Sequence, residues 1–399
     1  MNNIKWLVII ICNMVVFQSG KLNAQEINKS LSECIEIALK NNLQIQSAEL
    51  DVQQAKALQG TAFNPEKTGI SYQQDPLTPD WIDKKVSVTQ TFEFPTVYTA
   101  QGQLLKQETL LAETSKRVTL NELTKEVSAA YFNSCHALQT VRLLQQQDSL
   151  YSDFLQRATL RFKTGETNQL ELMNAQNRHQ ENRLQLNKAN ADLANSQLLL
   201  QKLLNVSVPL GPIEGGKPER AVLSSPLERK LEGTAPILDY YSQQQNVAKA
   251  QISVEKNKLL PDIFGSYSFN DTKLPGFQIG ISVPLFFGSN RAKIKAAQIR
   301  KAQIDIERQQ TEQALQNAYS VQYNEYLKAK ESLAYYETAG IVQAGEIAQT
   351  AQTAYNLGEI GYMEYIQNMQ TAIAIKLQYV DAMNEYNQSI VLLNYLISP

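Results

Sequence analysis

Cysteine, histidine and charge of either dominant sign are scarce in this chain. Among 399 residues there are 3 Cys and 2 His, and 37 Lys and Arg against 39 Asp and Glu leave a net charge of −2. So little positive charge predicts no nucleic-acid partner. Three cysteines in so long a chain are no disulfide framework, and a metal site has little to draw on. Cys135 and His136 are adjacent, so they point about 100° apart on a helix. His179 stands alone and reads as a solvated helix residue. No G-x-S-x-G, P-loop, H-E-x-x-H or paired C-x-x-C occurs, so the expectation is no enzyme, no metal and no cofactor.

Long apolar runs are missing too. The exception is "WLVIIICNMVVF" from Trp6 to Phe17, about 12 residues that follow Lys5 and precede "LNA", which ends in the small residue Ala24. This order predicts a cleaved secretory signal over 1–24, too short to span a bilayer. Cleavage would remove Cys12 and leave Cys34 and Cys135. "LSEC" carries Glu33 where a lipid-anchor site wants a small residue, so no acylation at Cys34 is expected. No later stretch approaches 18 consecutive apolar residues, so any membrane segment must be β-strands closed into a barrel.

What the chain has is a repeat. "RFKTGETNQLELMNAQ" at 161–176 is echoed by "AYNLGEIGYMEYIQNMQ" at 354–370, at an offset of about 193 residues. Phe162 then matches Tyr355, Gly165 matches Gly358, Glu166 matches Glu359, Leu170 matches Met363, and Glu171 matches Glu364. Two units follow, over 25–204 and 235–399. Between them the Pro- and Gly-rich stretch 205–234 reads as a linker.

Each unit has the same order. A first helix of about 30 residues is followed by two strands, at about 68–75 and 85–94 in the first unit and 262–270 and 277–286 in the second. A long helix leads to a turn near 165 or 358, and a return helix of about 35 residues closes the unit. In the first long run Leu123, Val127, Ala130, Ser134, Ala137, Val141, Leu144, Asp148, Tyr151, Leu155, Ala158 and Phe162 alternate by four and three. That is a sustained heptad seam, on a helix of roughly 95 Å at 1.5 Å per residue. The second unit continues the pattern through Leu315, Tyr319, Tyr326, Ala329, Leu333, Tyr336 and Ile347.

The strands alternate apolar and small polar residues. Val86, Val88, Phe92 and Phe94 share one face, as do Phe277, Ile279, Ile281, Val283 and Leu285, with Ile70, Tyr72, Ile263, Tyr267 and Phe269 on their partners. This suits a wall between lipid and water, although a half-buried soluble sheet alternates in the same way. Four strands cannot close a barrel, and an open edge is forbidden in hydrocarbon, so several chains must share one barrel if these strands lie in a membrane.

The two-fold repeat, the paired "F/Y-x-x-G-E" turns, the two strand pairs and the exported N-terminus together resemble the TolC family of outer-membrane efflux proteins. The resemblance implies a mainly α fold with a small membrane β part. In it a homotrimer pools four strands per chain into a 12-stranded β-barrel, continued by a periplasmic α-helical barrel. It also implies a location in the outer membrane of a Gram-negative bacterium, in contact with outer-membrane lipid. The implied partners are a periplasmic adaptor (membrane fusion) protein and an inner-membrane transporter of the resistance-nodulation-division type.

On that resemblance the loops Asp75 to Lys84 and Asn270 to Gly276 face outside, the linker joins the equatorial belt, and the Gly turns form the periplasmic tip. The expected function is the exit duct of a tripartite efflux pump passing metal cations or drugs. An exported coiled-coil structural or adhesin protein, and a duct for type I protein secretion, stay open as alternatives.

Phe162, Gly165, Glu166, Leu170, Tyr355, Gly358, Glu359 and Met363 are the candidate docking residues. Two readings of the tip acids also stay open. Glu166 and Glu359 sit where a helix restarts and carboxylates are favoured. Alternatively they join Glu171 and Glu364 in an acidic ring that gates by pairing with Arg157 or Arg161.

Overall fold

The computed structural model describes residues 27–78, 81–207, 210–212, 220–224, 235–270, 275–284 and 287–397. The expected signal at 1–24, most of the linker 205–234, and Leu285 lie outside the described residues.

The first unit opens with β1 (Ile27–Lys29), α1 (Leu31–Asn41) and α2 (Leu43–Leu58). Ser30 starts α1 through a capping box: its hydroxyl accepts from the Glu33 amide while the Glu33 carboxylate accepts from the Ser30 amide. The single 30-residue helix expected here is instead two. Asn42 takes an extended backbone and caps α2 by accepting from the Gln44 amide at 2.8 Å, and its Nδ2 donates to the Leu203 carbonyl at 2.9 Å. An Asn side chain that can satisfy the backbone at a break makes the break cheap.

β2 (Gly69–Thr78) and β3 (Trp81–Phe92) form a hairpin. It leads into α3 (Pro95–Lys163), a helix of 69 residues with Pro95 in its first turn, where a missing N–H costs nothing. Phe94 therefore belongs to the strand-to-helix corner and not to β3. The expected exterior loop 75–84 is also corrected, because pairing runs on to Thr78 opposite Trp81 and an antiparallel hairpin stays laddered up to its turn. α4 (Gln169–Leu204) returns, and β4 (Leu210–Pro212) pairs in parallel with β1.

The second unit repeats the order with α5 (Pro236–Asn257), β5 (Asp262–Asn270), β6 (Pro275–Ser282) and α6 (Gly288–Tyr335). A π-helical turn at Tyr336–Gly340 then leads to α7 (Ile341–Leu357) and the return helix α8 (Tyr362–Ile397). The two hairpins join along β3 and β5 into one antiparallel sheet of order β2-β3-β5-β6.

The seam of α3 holds from Leu123 to Leu144, all buried. Below that, Gln147 and Phe154 are buried where Asp148 and Leu155 were expected, and Phe162 is exposed. A helix flanked by neighbours on two sides buries a wider stripe than one seam. The main core lies where the units meet, with Tyr131 and Phe132 of α3 among Cys34, Leu200, Leu204, Tyr326, Ile390 and Leu393.

Candidate functional site

The sheet is a two-faced wall. Register places Ile70, Val88, Tyr267 and Phe277 in one row, Tyr72, Val86 and Phe269 in the next, and Phe92, Ile263 and Ile281 in another. All of these side chains are exposed, Ile70 at 77% and Phe277 at 74%. From Val86 to Phe92 the rows span about 20 Å at the usual strand rise, close to the apolar band of roughly 25 Å on a membrane barrel. Gln90 interrupts them but is satisfied, donating to the Glu66 carbonyl and accepting from Thr68, both at 2.6 Å.

The other face carries hydroxyls. Ser71 and Ser87 meet at 2.7 Å, and the Thr89 hydroxyl donates to Ser266 at 3.0 Å. Polar groups that satisfy one another leave a wettable surface, with the charges of Lys85 and Asp262 towards its ends. Among the described residues β2 and β6 each have a partner on one side only.

At the far end of the helices lie two matched turns. Gly165 and Gly358 have φ of 78° and 76°, the left-handed region in which a Cβ is unfavourable. In the first, Gly165 donates to the Phe162 carbonyl at 3.2 Å and Glu166 to Arg161 at 2.8 Å. In the second, Gly358 donates to Tyr355 at 3.1 Å and Glu359 to Ala354 at 2.9 Å. Both are Schellman turns, which consume the helix's last free carbonyls and reverse the chain.

Glu166 and Glu359 act through their backbone N–H groups, and neither stands in a helix's first turn. Glu171 and Glu364 do, in α4 and α8. Glu171 is not a free acid: it takes Arg161 at 3.0 Å and the Thr167 hydroxyl, while its amide donates to Asn168 at 3.0 Å. Arg157 bonds neither Glu171 nor Glu364 and instead pairs with Asp153 at 2.8 Å.

Asp153 is the residue the sequence reading missed. Its Oδ2 also accepts from the Tyr362 hydroxyl at 2.6 Å, which ties α3 of the first unit to α8 of the second. Arg157 lies over the Tyr362 ring at 5.3 Å. Burial opposes ionisation of Asp153, but the bonds from Tyr362 and Arg157 outweigh it and hold the carboxyl below its usual range. Tyr362 is pushed well up, first by burial and then by donating to that carboxylate. Around them Tyr151, Phe154, Ala158, Ala175, Ala351, Tyr365 and Ile366 form a buried cluster, in which Tyr355 stacks on Tyr365 at 5.0 Å. The available signal was the run of tyrosines at 355, 362 and 365, too many for a solvated turn.

Of the expected docking residues, Phe162, Leu170 and Met363 are exposed, as are Leu160 and Leu357 beside them. Tyr355 is half-buried in the cluster. The two histidines pair with α3 or its neighbours: His136 meets Asp381 of α8 at 2.7 Å, and His179 lies 3.9 Å from Asp148.

A wall with one greasy and one hydroxylated face, set above a long helical hairpin pair, has counterparts among known proteins. Residues 231–397 match the family described as Outer membrane efflux protein. That match spans the second repeat. Nearly the whole chain shares the fold of solved relatives. A membrane protein from Pseudomonas aeruginosa superposes with TM-score 0.78 at 17% identity, over 94% of this chain and 91% of that one. CusC superposes with TM-score 0.76 at 18% identity, over 96% and 95%. The CmeC outer membrane channel of Campylobacter jejuni gives 0.73 at 17%, over 92% and 85%. No curated protein sequence matches. Among the described residues no helix is long and apolar enough to cross a membrane.

Proposed function

We propose that three copies of the chain close one 12-stranded barrel in the outer membrane of a Gram-negative bacterium, β6 of each pairing with β2 of the next. The observation that carries this is the four-stranded sheet with an apolar face, a hydroxyl face and two unpaired edges. An unpaired backbone group in hydrocarbon costs several kcal/mol, so the edges must meet other strands. Two copies would make eight strands, whose bore side chains fill, whereas twelve leave room for water.

The signal at 1–24 directs the chain to export, and the paired helices continue the bore into the periplasm. The duct passes metal cations or drugs delivered by a periplasmic adaptor and an inner-membrane resistance-nodulation-division-type pump. The exposed tip residues Phe162, Leu170 and Met363 offer the adaptor an apolar surface around Gly165 and Gly358. The Asp153–Tyr362 bond holds the two hairpins of a protomer together and so opposes widening of the tip.

The test is to introduce single cysteines along β2 and β6 in a chain lacking Cys34 and Cys135, and to oxidise it in isolated outer membranes. Covalent dimers and trimers with no tetramer are expected. Recovery as a soluble periplasmic monomer would overturn the reading. Sensitivity of a deletion strain to metal ions, bile salts and dyes then identifies the substrate class.

A further inference from the structure

The long helix of the second unit is broken where that of the first is not, and the break is held from outside. At Tyr336–Gly340 the chain makes a π-turn, with the Ile341 amide donating to the Tyr336 carbonyl. Gly340 is needed there because a Cβ would come within 2.8 Å of the Tyr336 ring and 3.5 Å of Ile375.

A register difference explains the turn. Pro95 and Gly288, which start α3 and α6, are separated by the same offset as Gly165 and Gly358. In the stretch of α6 just above the turn the buried residues are Tyr326, Ala329 and Leu333. At that offset they match Asn133, His136 and Thr140, each one short of the buried Ser134, Ala137 and Val141 of α3. Below the turn Gly340, Ala344 and Ala351 match Gln147, Tyr151 and Ala158, all buried. The π-turn thus takes up one residue and brings the two helices back into register.

A strap from the linker crosses this point. The Ala221 amide donates to Asn387 at 2.9 Å, the Ser224 amide to Asn394 at 2.8 Å, and Asn394 returns a bond to the Val222 carbonyl at 2.8 Å, so 221–224 is stitched along α8. Arg220, at the end of the strap, donates from Nη2 to both carboxylate oxygens of Glu337 at 2.7 and 2.8 Å. Its guanidinium lies 5.2 Å from the ring of Tyr386.

We propose that the π-turn is the pivot about which α7 and the lower half of α8 swing relative to α3 and α4, and that Arg220 is the latch restraining it through Glu337. A π-turn is a weak point in a helix ladder and recurs at functional hinges. α8 runs from Tyr362 to Ile397 without a break of its own. The purpose of the motion rests on the duct reading above, while the pivot itself does not.

The test uses the full chain purified in detergent, comparing wild type with Arg220→Ala, Glu337→Gln, the swap Arg220→Glu with Glu337→Arg, and a deletion of Ala339 that lets the α-helix run through. Hydrogen exchange over 336–345 is read by mass spectrometry, and conductance is read in planar bilayers with KCl. Either single variant is expected to speed exchange there roughly two- to fivefold and raise conductance. The swap should restore both, and the deletion should slow exchange below wild type. Wild-type exchange in both single variants, or a swap as fast as they are, overturns the latch. If exchange responds as expected but no form conducts KCl, the pivot stands and the duct reading fails.

Discussion

The two units start and end their long helices at matching residues, yet α3 runs through without a break while its counterpart is divided at Tyr336–Gly340. Their tip turns are nearly superimposable in φ and hydrogen bonding. Their ties are not: the charged partners at the tip, Asp153, Arg157 and Arg161, all belong to the first unit. Duplication thus preserved the reversal of the chain, which backbone geometry dictates, and let the side chains around it diverge. The first hairpin is the fixed member and the second is the one held to it.

The largest expected effect tests this at a matched pair of positions, Phe154 and Ile347. Phe154 is 1% exposed and packs in the tip cluster, whereas Ile347 is half-buried. Phe154→Ala should cost about 3–5 kcal/mol by transfer and cavity terms together, and Ile347→Ala about 1 kcal/mol. Denaturant unfolding in detergent measures both. Equal losses would show that the tip is not anchored on the first unit.

Next comes Asp153 against its counterpart Glu346, an exposed residue. Asp153→Asn should cost about 1 kcal/mol, since a charged acceptor shared by Tyr362 and Arg157 is lost at a side chain that is 46% exposed and so partly screened, while Glu346→Gln should be neutral. The pH dependence has a definite sign. With its carboxyl held below the ordinary value of 3.8, Asp153 contributes its full stabilisation above that value and loses it as pH falls through the lowered one. Distances between spin labels on the two tips should therefore broaden below about pH 4 in wild type. In Tyr362→Phe they should already be broad at neutral pH. A tip that stays equally tight from pH 7 until its carboxylates are fully protonated would rule out this bond as the tie.

These contrasts also mark what the sequence could reveal. The repeat, the strand wall and the Gly turns were legible because each rests on a local rule: a period of two, a run free of breakers, a residue that tolerates positive φ. The break at Asn42 was not, since it depends on the Leu203 carbonyl from another helix. Nor was the Asp153–Tyr362 bond, which spans 209 residues. The π-turn had a trace in Gly340, one of two glycines with Gly345 inside an otherwise helical run, but its cause is a one-residue mismatch visible only once both buried stripes are known. Glu171 was singled out for charge, and its partner Arg161 followed from proximity across the turn. The cap on Asn168 that positions it is a backbone matter.

A comparable but symmetric effect is expected at the glycines. Neither would bring a Cβ within 4 Å of another residue, so only the backbone conformation resists substitution. Gly165→Val and Gly358→Val should each cost about 1–2 kcal/mol and leave barrel insertion intact, as judged by trimer recovered from outer membranes. A large difference between the two would mean that one turn is remodelled in the assembly and the other is not.

The smallest effect isolates a single ion pair. Glu171 and Glu364 both stand in the first turn of a return helix, so each gains the same favourable interaction with the helix terminus, and replacing either by Gln removes that share equally. Glu171 alone also meets Arg161, across a contact in which the arginine side chain is 41% and the glutamate 19% exposed. Solvent screening limits such a pair to roughly 0.5–1 kcal/mol. The difference between Glu171→Gln and Glu364→Gln in melting temperature should therefore be small, positive for Glu171, and abolished in an Arg161→Ala background. If it persists in that background, what distinguishes the two tips at this position is the Thr167 hydroxyl bonded to the Glu171 carboxylate and not the charge opposite it.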